Sequence, residues 1–388
     1  MKILLVNFLR LGDIIMMAPL INDIKRRYPS AEIHQLIFGE FSIVRQVIGQ
    51  VDQWHLMPRT LIQETAASSE SGLLDAPDLI LSLFDELNSL NFDLAINMSH
   101  TAFSALGMSL ISAREKWGTY FEGDQLLYSS KSFEEVDLGE VKSQLHLLDW
   151  YRIGFRLNDG PVDWRLNERS GQKSLLPSAQ SGRKTYLFQV LSSDSKKSWN
   201  RESWKRLFVE IRRTDPFAEL KMVCAPSEAS QLSGLSKESG VELIPCGLDQ
   251  AHDLIRRSDV FVTLDTSTKH LANDSPARIV ELCFGSADFA KQGVYKRDSL
   301  ILTPKAHCYP CGHSDRCPLV QRDCATEISV NDVLWAMGIR SRVARSELKC
   351  QVFETTTESE WSISPIEISK GENQIEAQKR IAEEHPEA

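Results

Sequence analysis

Three short polar segments of this chain follow apolar runs and contain residues suited to binding a phosphorylated ligand. They are residues 11–13 (LGD), 192–199 (SSDSKKSW) and 265–270 (DTSTKH). Each comes directly after a run that predicts a buried strand, at the position where open parallel sheets bind their ligands. The spacing therefore predicts that the three segments are loops at the carboxyl ends of strands.

Asp13 has two interpretations. It stands at the start of a helix predicted over residues 13–27, where Asp is a preferred N-cap residue because its side chain accepts a backbone N–H. A carboxylate near a helix N-terminus also stays ionised, which suits a general base. The residues alone leave capping and catalysis open.

The other two segments combine hydroxyl, ammonium and carboxylate groups. Residues 192–199 precede a predicted helix, and their composition fits an anion site and an ordinary polar loop equally well. Asp265 can accept hydrogen bonds from a sugar or ribose hydroxyl, and the backbone N–H groups that follow can face a phosphate. His270 lies one turn into the next helix, where a packed core histidine is the alternative to a ligand-binding one.

A cluster of cysteines occupies the stretch HCYPCGHSDRCPLVQRDC. Cys308, Cys311, Cys317 and Cys324 have the spacing C-x2-C-x5-C-x6-C, with His307 and His313 nearby. The first half of this pattern is typical of a structural zinc or iron knuckle. Free thiols and disulfides are the alternatives, and in a reducing compartment thiols or metal ligands are expected before disulfides.

The elements that position these residues predict two α/β domains. The 388 residues exceed the size of a single hydrophobic core, and short apolar runs alternate with helical patterns, which favours parallel sheets. The predicted divisions are an N-terminal domain (1–166), a linker (167–183), a C-terminal domain (184–330) with a Cys-rich loop (307–324), a last helix (331–345) capped by Asn331, and an acidic, disordered tail (346–388).

Charge and hydropathy exclude several classes of protein. The net charge is −9, but residues 346–388 hold ten Glu against four Lys and Arg, so the rest of the chain is close to neutral. Such a chain lacks the broad positive field that nucleic-acid binding needs. Arg10 and Asp13 interrupt the apolar start and no cleavage site follows, so we expect neither signal peptide nor membrane span, and a cytoplasmic protein.

Together the three segments resemble glycosyltransferase family 9, the ADP-heptose:lipopolysaccharide heptosyltransferases. That family has Leu-Gly-Asp in its first βα turn, hydroxyl residues followed by Lys-x-Trp at the start of its second domain, then Asp-Thr-Gly-x-x-His-Leu-Ala and Phe-Gly-x-x-Asp. The counterparts here are Leu11-Gly12-Asp13, Ser192-Ser193 with Lys197-x-Trp199, Asp265-Thr266-Ser267-x-x-His270-Leu271-Ala272, and Phe284-Gly285-Ser286. The resemblance covers residues 1–340. Ser267 replaces a glycine whose bare backbone lies close to the diphosphate, so a changed phosphate pose or weaker donor binding is expected.

The resemblance implies a GT-B architecture of two Rossmann-like domains facing a cleft. It also implies an inverting, metal-independent transfer of heptose or a related sugar from an ADP-sugar to a lipopolysaccharide core. Asp13 would be the general base, and Lys197 would stabilise the departing diphosphate. The implied donor-binding residues are Ser192, Ser193, Lys197, Glu228, Asp265, Thr266, Ser267 and His270, with the adenine near Cys246 and Gly247.

The N-terminal side of the cleft is expected to bind the acceptor. The predicted acceptor-binding residues are Arg10, Arg59, Asn97, Ser99, His100 and Thr101, and the cationic members suit an anionic saccharide. The expected partners are a nucleotide-sugar donor and a lipid-linked saccharide at the inner membrane surface, with the protein a monomer, cytoplasmic or peripheral on the cytoplasmic face. Catalysis needs no cofactor on this interpretation, and a zinc or iron ion at the cysteine cluster would be structural.

Two rival functions remain open at this stage. One is an enzyme of the same architecture that uses another nucleotide sugar, either a UDP-sugar transferase or an epimerase; Lys197-x-Trp199 and the Asp265–Ala272 motif argue against it. The other is a non-catalytic protein that binds a sugar nucleotide, and the presence of Asp13 argues against that, since such a protein needs no base.

Overall fold

The computed structural model describes most of the chain as two compact units. The units are residues 1–171 and 172–388, and their boundary lies within the predicted linker, of which residues 167–182 are outside the described residues. The described residues are 1–68, 72–99, 101–122, 125–129, 146–166, 183–311, 317, 324–339, 347–355 and 363–365.

The first unit is built on a mostly parallel sheet. Within the described ranges the strand order is β3-β2-β1-β4-β5-β6, with β6 antiparallel to β5 and the other pairs parallel. The strands are β1 (Lys2–Asn7), β2 (Glu32–Phe38), β3 (Gln53–Met57), β4 (Phe92–Asn97), β5 (Ala113–Glu122) and β6 (Gln125–Ser129). The order reverses between β1 and β4. The loops that follow these two strands therefore lie side by side at the switch point, where α/β sheets bind ligands.

Helices cover this sheet, and the first of them differs from the sequence prediction. The predicted single helix over 13–27 is two helices, which meet at Met17. Pro19 is the reason, because its missing N–H cannot bond the carbonyl four residues earlier, whereas proline fits the first turn of a new helix. The helices are α1 (Leu11–Met16), α2 (Ala18–Arg27), α3 (Arg59–Ser68), α4 (Gly72–Ser89), α5 (Ala102–Leu110) and α6 (Leu147–Gly154), with a 3-10 helix at Gly39–Gln46.

The second unit repeats the same switch. Among its described strands the order is β14-β13-β12-β11-β10-β7-β8-β9, parallel from β12 to β9. The strands are β7 (Thr185–Gln189), β8 (Glu219–Cys224), β9 (Glu242–Pro245), β10 (Val260–Leu264), β11 (Arg278–Leu282), β12 (Leu300–Thr303), β13 (Gln351–Thr355) and β14 (Ile363–Pro365). The reversal between β7 and β10 brings together the loops that contain the second and third polar segments.

Short helices and a buried aromatic group support these loops. Trp199 is buried and packs edge-on against Trp204, while its ring N–H donates to the carbonyl of Ile328 over 3.1 Å. The tryptophan of the Lys-x-Trp motif therefore anchors the loop in the core. The helices are α7 (Arg201–Thr214), α8 (Ala229–Ser239), α9 (Leu248–Arg257), α10 (Ser267–Ala272), α11 (Phe289–Gln292), α12 (Cys324–Glu327) and α13 (Val330–Ala336), with 3-10 helices at Ser195–Lys197 and Pro226–Glu228.

The C-terminal part of the chain differs from the sequence prediction in two places. The last described helix is α13. Its N-cap is Ser329 and not Asn331, and the Ser329 hydroxyl accepts the Asp332 N–H over 3.3 Å. The tail prediction is wrong for residues 351–355, because β13 pairs antiparallel with β12 and buries Val352 and Phe353. Residues 366–388, also predicted disordered, lie outside the described residues.

None of the helices in the described part of the chain combines the length and the hydropathy needed to cross a bilayer.

Candidate active site

The loops after β7 and β10 meet through an ion pair. Lys197 ends the 3-10 helix Ser195–Lys197, and Asp265 directly follows β10. The Lys197 Nζ donates to Asp265 Oδ2 over 2.5 Å, and both side chains are nearly buried. Two separately predicted site residues are thus joined at the switch point of the second sheet.

Asp265 continues into a longer buried network. Its second oxygen accepts from the Nζ of Lys269 on α10, and the same Nζ donates to Glu281 Oε1 on β11 over 2.8 Å. Lys269 and Glu281 are 1% and 0% exposed, so this pair is sealed from solvent. We call Lys197, Asp265, Lys269 and Glu281 the charge chain, since positive and negative groups alternate along it.

Burial and ion pairing shift the pKa values of Asp265 and Lys269 in opposite directions. Burial alone would raise the pKa of Asp265, but Lys269 and Lys197 outweigh it and hold that pKa well below its usual value. Burial would likewise lower the pKa of Lys269, but Asp265 and Glu281 raise it above the ordinary lysine value. Both groups are therefore ionised at neutral pH.

The two shifts define a window of stability. Because the pKa of Asp265 is lower in the folded protein than in the unfolded chain, this group stabilises the fold above pH 3.8, the unfolded value. The contribution is lost as the pH falls through the folded pKa. A raised Lys269 pKa stabilises the fold below 10.5, and this contribution is lost as the pH rises through the folded value. Asp265 and Lys269 therefore contribute fully between those limits.

Sequence reasoning missed Lys269 and Glu281. Lys269 fell in the unspecified part of the third motif, although Asp265 and Lys269 have the i,i+4 spacing that brings side chains together on a helix. Glu281 lies in the otherwise apolar end of the strand RIVEL. A charged residue in a buried strand requires a partner, and that was the available signal.

The loop that contains Lys197 has its own internal bonds. Asp194 Oδ1 accepts the Lys196 N–H over 2.9 Å, and the Ser286 hydroxyl donates to Asp194 Oδ2 over 3.1 Å. Burial acts to raise the Asp194 pKa, but these two donors hold it below the ordinary value. Ser192 Oγ accepts the Asp194 N–H over 3.4 Å, and Ser193 is exposed. Both predicted serines thus lie on the loop beside Lys197.

Gly285 lets the loop after β11 approach the backbone of Lys196 closely. Its φ is +55°, and a Cβ there would lie 2.6 Å from the carbonyl oxygen of Lys196. Glycine is required at this position both by the backbone conformation and by the close approach of the two loops. The Cys311 N–H donates to the Gly285 carbonyl over 3.0 Å, so the Cys-rich segment packs behind the same loop.

Gly285→Ala is expected to destabilise the protein and weaken ligand binding at the Lys197 loop. The matched control is Gly240→Ala, at φ +66° with only a flexible arginine end nearby. Gly240→Ala is expected to lose about 1–2 kcal/mol of stability, because alanine disfavours the left-handed backbone conformation. Gly285→Ala has the same cost and must also displace Lys196. Thermal unfolding of both variants measures the difference. Equal destabilisation would contradict a role for close approach at Gly285.

The remaining predicted donor residues lie at neighbouring strand ends. Thr266 Oγ1 and Thr268 Oγ1 are 2.9 Å apart, and Ser267 begins α10 without a positive φ, so serine fits there without backbone strain. His270 is buried on α10. Glu228 ends the 3-10 helix after β8, and its Oε2 accepts the Ala225 N–H over 2.9 Å. These residues line the same edge as the charge chain, which follows from the parallel order of β8, β7 and β10.

In the first unit, Asp13 is the third residue of α1 and not its N-cap. The N-cap is Arg10, whose backbone N–H donates to Asp13 Oδ2 over 3.1 Å. The predicted cap is thus replaced by the reciprocal arrangement, in which the third helical residue bonds back to the cap. Asp13 is half-buried in the loop after β1, at the switch point of the first sheet.

Two predicted acceptor residues, Asn97 and Ser99, are buried and bonded within the first unit. Asn97 is fully buried, and its Nδ2 donates to the Thr119 carbonyl over 2.8 Å. Ser99 is 2% exposed, and its hydroxyl oxygen accepts the Phe8 N–H over 3.0 Å. These bonds tie the end of β4 to its neighbours, and acceptor contact by Asn97 and Ser99 stays a prediction.

Among the other predicted acceptor residues, Arg10, Arg59 and Thr101 are more accessible. Arg10 is exposed; Arg59 pairs with Glu40 and stacks over Phe38 at 4.4 Å, with 43% of its side chain exposed. Thr101 caps α5 by accepting the Ser104 N–H over 3.1 Å, and His100 lies outside the described residues. Arg10 and Arg59 therefore remain the cationic candidates.

The Cys-rich segment is described at residues 307–311, 317 and 324, and residues 312–316 and 318–323 lie outside the described residues. None of the eight cysteines forms a disulfide, and no group of three or more metal-binding side chains occurs among the residues that the structure places. Cys308, Cys311, Cys317 and Cys324 are nonetheless neighbours: burial raises the pKa of Cys308, and the charge of Cys324 raises it further. A structural metal ion at this cluster stays a prediction.

Each unit contains a Rossmann-like sheet whose strand order reverses at a switch point, and the Lys197–Asp265 pair lies at the second switch. Two such units are the architecture of the GT-B glycosyltransferases. The family model of glycosyltransferase family 9 (heptosyltransferase) matches residues 80–319. The chain belongs to this family and is a glycosyltransferase. The resemblance to this family is thereby confirmed; the matched residues include the second and third motifs, whereas Leu11-Gly12-Asp13 lies before them.

Solved structures agree on the fold. The chain is similar to Escherichia coli heptosyltransferase WaaC with ADP-2-deoxy-2-fluoro heptose (TM-score 0.62, 14% identity, 86% of this chain and 98% of that one). It is also similar to E. coli ADP-heptose LPS heptosyltransferase II (TM-score 0.59, 16%, 87% and 98%), and to a family 9 glycosyltransferase from Veillonella parvula DSM 2008 (TM-score 0.60, 15%, 87% and 96%). No curated protein is similar enough in sequence to count as a relative.

Proposed function

We propose that this protein transfers a heptose or a related sugar from an ADP-sugar to a lipopolysaccharide core or similar acceptor, with inversion and without a catalytic metal. The observation that carries the proposal is the Lys197–Asp265 pair at the switch point of the second sheet. An ammonium group held there suits the diphosphate of a nucleotide sugar. Family membership and the similar structure of WaaC with ADP-2-deoxy-2-fluoro heptose support the choice of donor.

The leaving group is the first part of the mechanism. Lys197, Ser192 and Ser193 bind the diphosphate and neutralise the charge that develops on it as the glycosidic bond breaks. Lysine has three N–H donors, and one is used on Asp265, which leaves two for phosphate oxygens. Glu228 binds the ribose, and Asp265, Thr266, Ser267 and His270 bind the donor near its phosphates and sugar.

The attacking group is the second part. Asp13 acts as the general base, taking the proton of the acceptor hydroxyl as that oxygen attacks the anomeric carbon. Its position in the first turn of α1 favours the carboxylate form. Attack opposite to the leaving diphosphate inverts the configuration, and the transition state is oxocarbenium-like.

The acceptor is a lipid-linked saccharide met at the cytoplasmic face of the inner membrane. Arg10 and Arg59 are the exposed cations of the first unit that suit an anionic acceptor. Arg59 is held in place by Glu40 and by the ring of Phe38, so its charge is presented from a fixed position.

The nucleotide test compares ADP, GDP and UDP by calorimetry and thermal shift. We expect ADP to bind tightest, and at about one hundred times its Kd to stabilise the folded protein by about 2.7 kcal/mol. Buried Cys246, close to the expected adenine position, offers an apolar contact to the base. A clear preference for a uridine nucleotide would overturn the assignment of the donor.

A further inference from the structure

Lys269 and Glu281 have no role in the transfer as described above, yet they are among the most buried charged residues of the second unit. Burying ionised groups is costly unless they are paired and hydrogen-bonded. The buried Lys269–Glu281 pair, which contacts Asp265 through Lys269, is therefore expected to have a function that offsets this cost.

The order of charges along the charge chain shows what the pair does. Lys197 and Lys269 each bind one oxygen of Asp265, whereas Glu281 binds Lys269 and makes no ion pair with Lys197. Coulomb energy falls with distance, so the nearer charge dominates at Asp265. Asp265 is thus compensated from behind by Lys269, and the negative charge of Glu281 lies one residue further from the loop.

The same contacts fix the geometry. Glu281 is itself held, with its Oε2 accepting the Val294 N–H over 2.7 Å and its Oε1 accepting the Cys283 thiol over 3.2 Å. With both oxygens of Asp265 bonded, rotation of this carboxylate would break one of two buried ionic bonds. The position of Lys197 Nζ is therefore set by residues two steps away from it.

We propose that Lys269, held by Glu281, is a positioning residue that compensates the Asp265 carboxylate, so that the positive charge of Lys197 stays available to the diphosphate of the nucleotide-sugar donor. This rests on the proposed function. It makes Lys269 and Glu281 determinants of phosphate affinity, although neither touches the donor.

The experiment compares Lys269→Met and Glu281→Gln with the unaltered protein, using ADP and adenosine as ligands in calorimetry. Lys269→Met leaves the charge chain with one excess negative charge, and we expect ADP affinity to fall at least about tenfold. Glu281→Gln leaves one excess positive charge, and we expect ADP to bind more tightly. Adenosine, which has no phosphate, is expected to bind both variants as it binds the unaltered protein.

Opposite changes in ADP affinity with constant adenosine affinity support the proposal. If both variants lose ADP and adenosine affinity alike, or if Lys269→Met binds ADP normally, the pair is only structural and the proposal fails. Should Lys269→Met not fold, Glu281→Gln decides: tighter ADP binding supports the proposal, and unchanged or weaker binding overturns it. Failure of the unaltered protein to bind ADP would instead contradict the proposed function.

Discussion

Asp13→Asn is expected to lose sugar transfer by at least about a hundredfold in turnover while keeping ADP affinity, because general-base assistance is typically worth about 10²–10⁴ in rate. The amide keeps the shape of the carboxylate, and its oxygen can still accept the Arg10 N–H that Asp13 accepts now. It cannot take a proton from the acceptor hydroxyl. Steady-state transfer at saturating donor and acceptor measures the change.

A matched control separates catalysis from helix capping. Asp332 is the third residue of α13 as Asp13 is of α1, and its Oδ2 accepts the Ser329 N–H over 2.7 Å. Asp332→Asn is expected to leave turnover nearly unchanged with at most a small fall in melting temperature, since its amide oxygen can likewise still accept the Ser329 N–H. Near-normal turnover of Asp13→Asn would show that another group is the base.

The loops of the site could be predicted because they obey a local rule. Each polar segment follows a buried strand, and the switch-point rule brings neighbouring loops together without any knowledge of the side chains. Lys197 and Asp265 were expected at one edge for this reason, and the structure joins them directly. The family motifs then supplied roles that the residue types alone left open.

The rest depends on pairings that sequence spacing does not reveal. Glu281 reaches Lys269 because β11 pairs with β10 in a register that sets Glu281 opposite Thr263. Asn97 has the appearance of a ligand-binding residue at a strand end, but its partner Thr119 comes 22 residues later on β5. In both cases a long-range contact decides whether a polar side chain faces a ligand or the core.

The tail illustrates the limit of composition. Residues 346–388 are acidic and poor in periodic apolar residues, which predicts disorder. A strand needs only a few residues when an existing sheet offers an open edge, and β13 adds to β12 through Val352 and Phe353. Averaging over the whole segment concealed this short run.

Lys197→Ala is expected to lower ADP affinity and transfer together, by roughly 10- to 150-fold, since a hydrogen bond to a charged group is worth about 1.5–3 kcal/mol. Asp265 keeps Lys269 as a partner, so the fold is expected to survive the change. Lys205→Ala, which removes the same charge from an exposed pair with Glu238, is the control and should leave both measurements unchanged. Asp13→Asn separates binding from turnover, whereas Lys197 acts on a charge present in the bound donor and larger in the transition state. Normal ADP affinity of Lys197→Ala would place the diphosphate elsewhere.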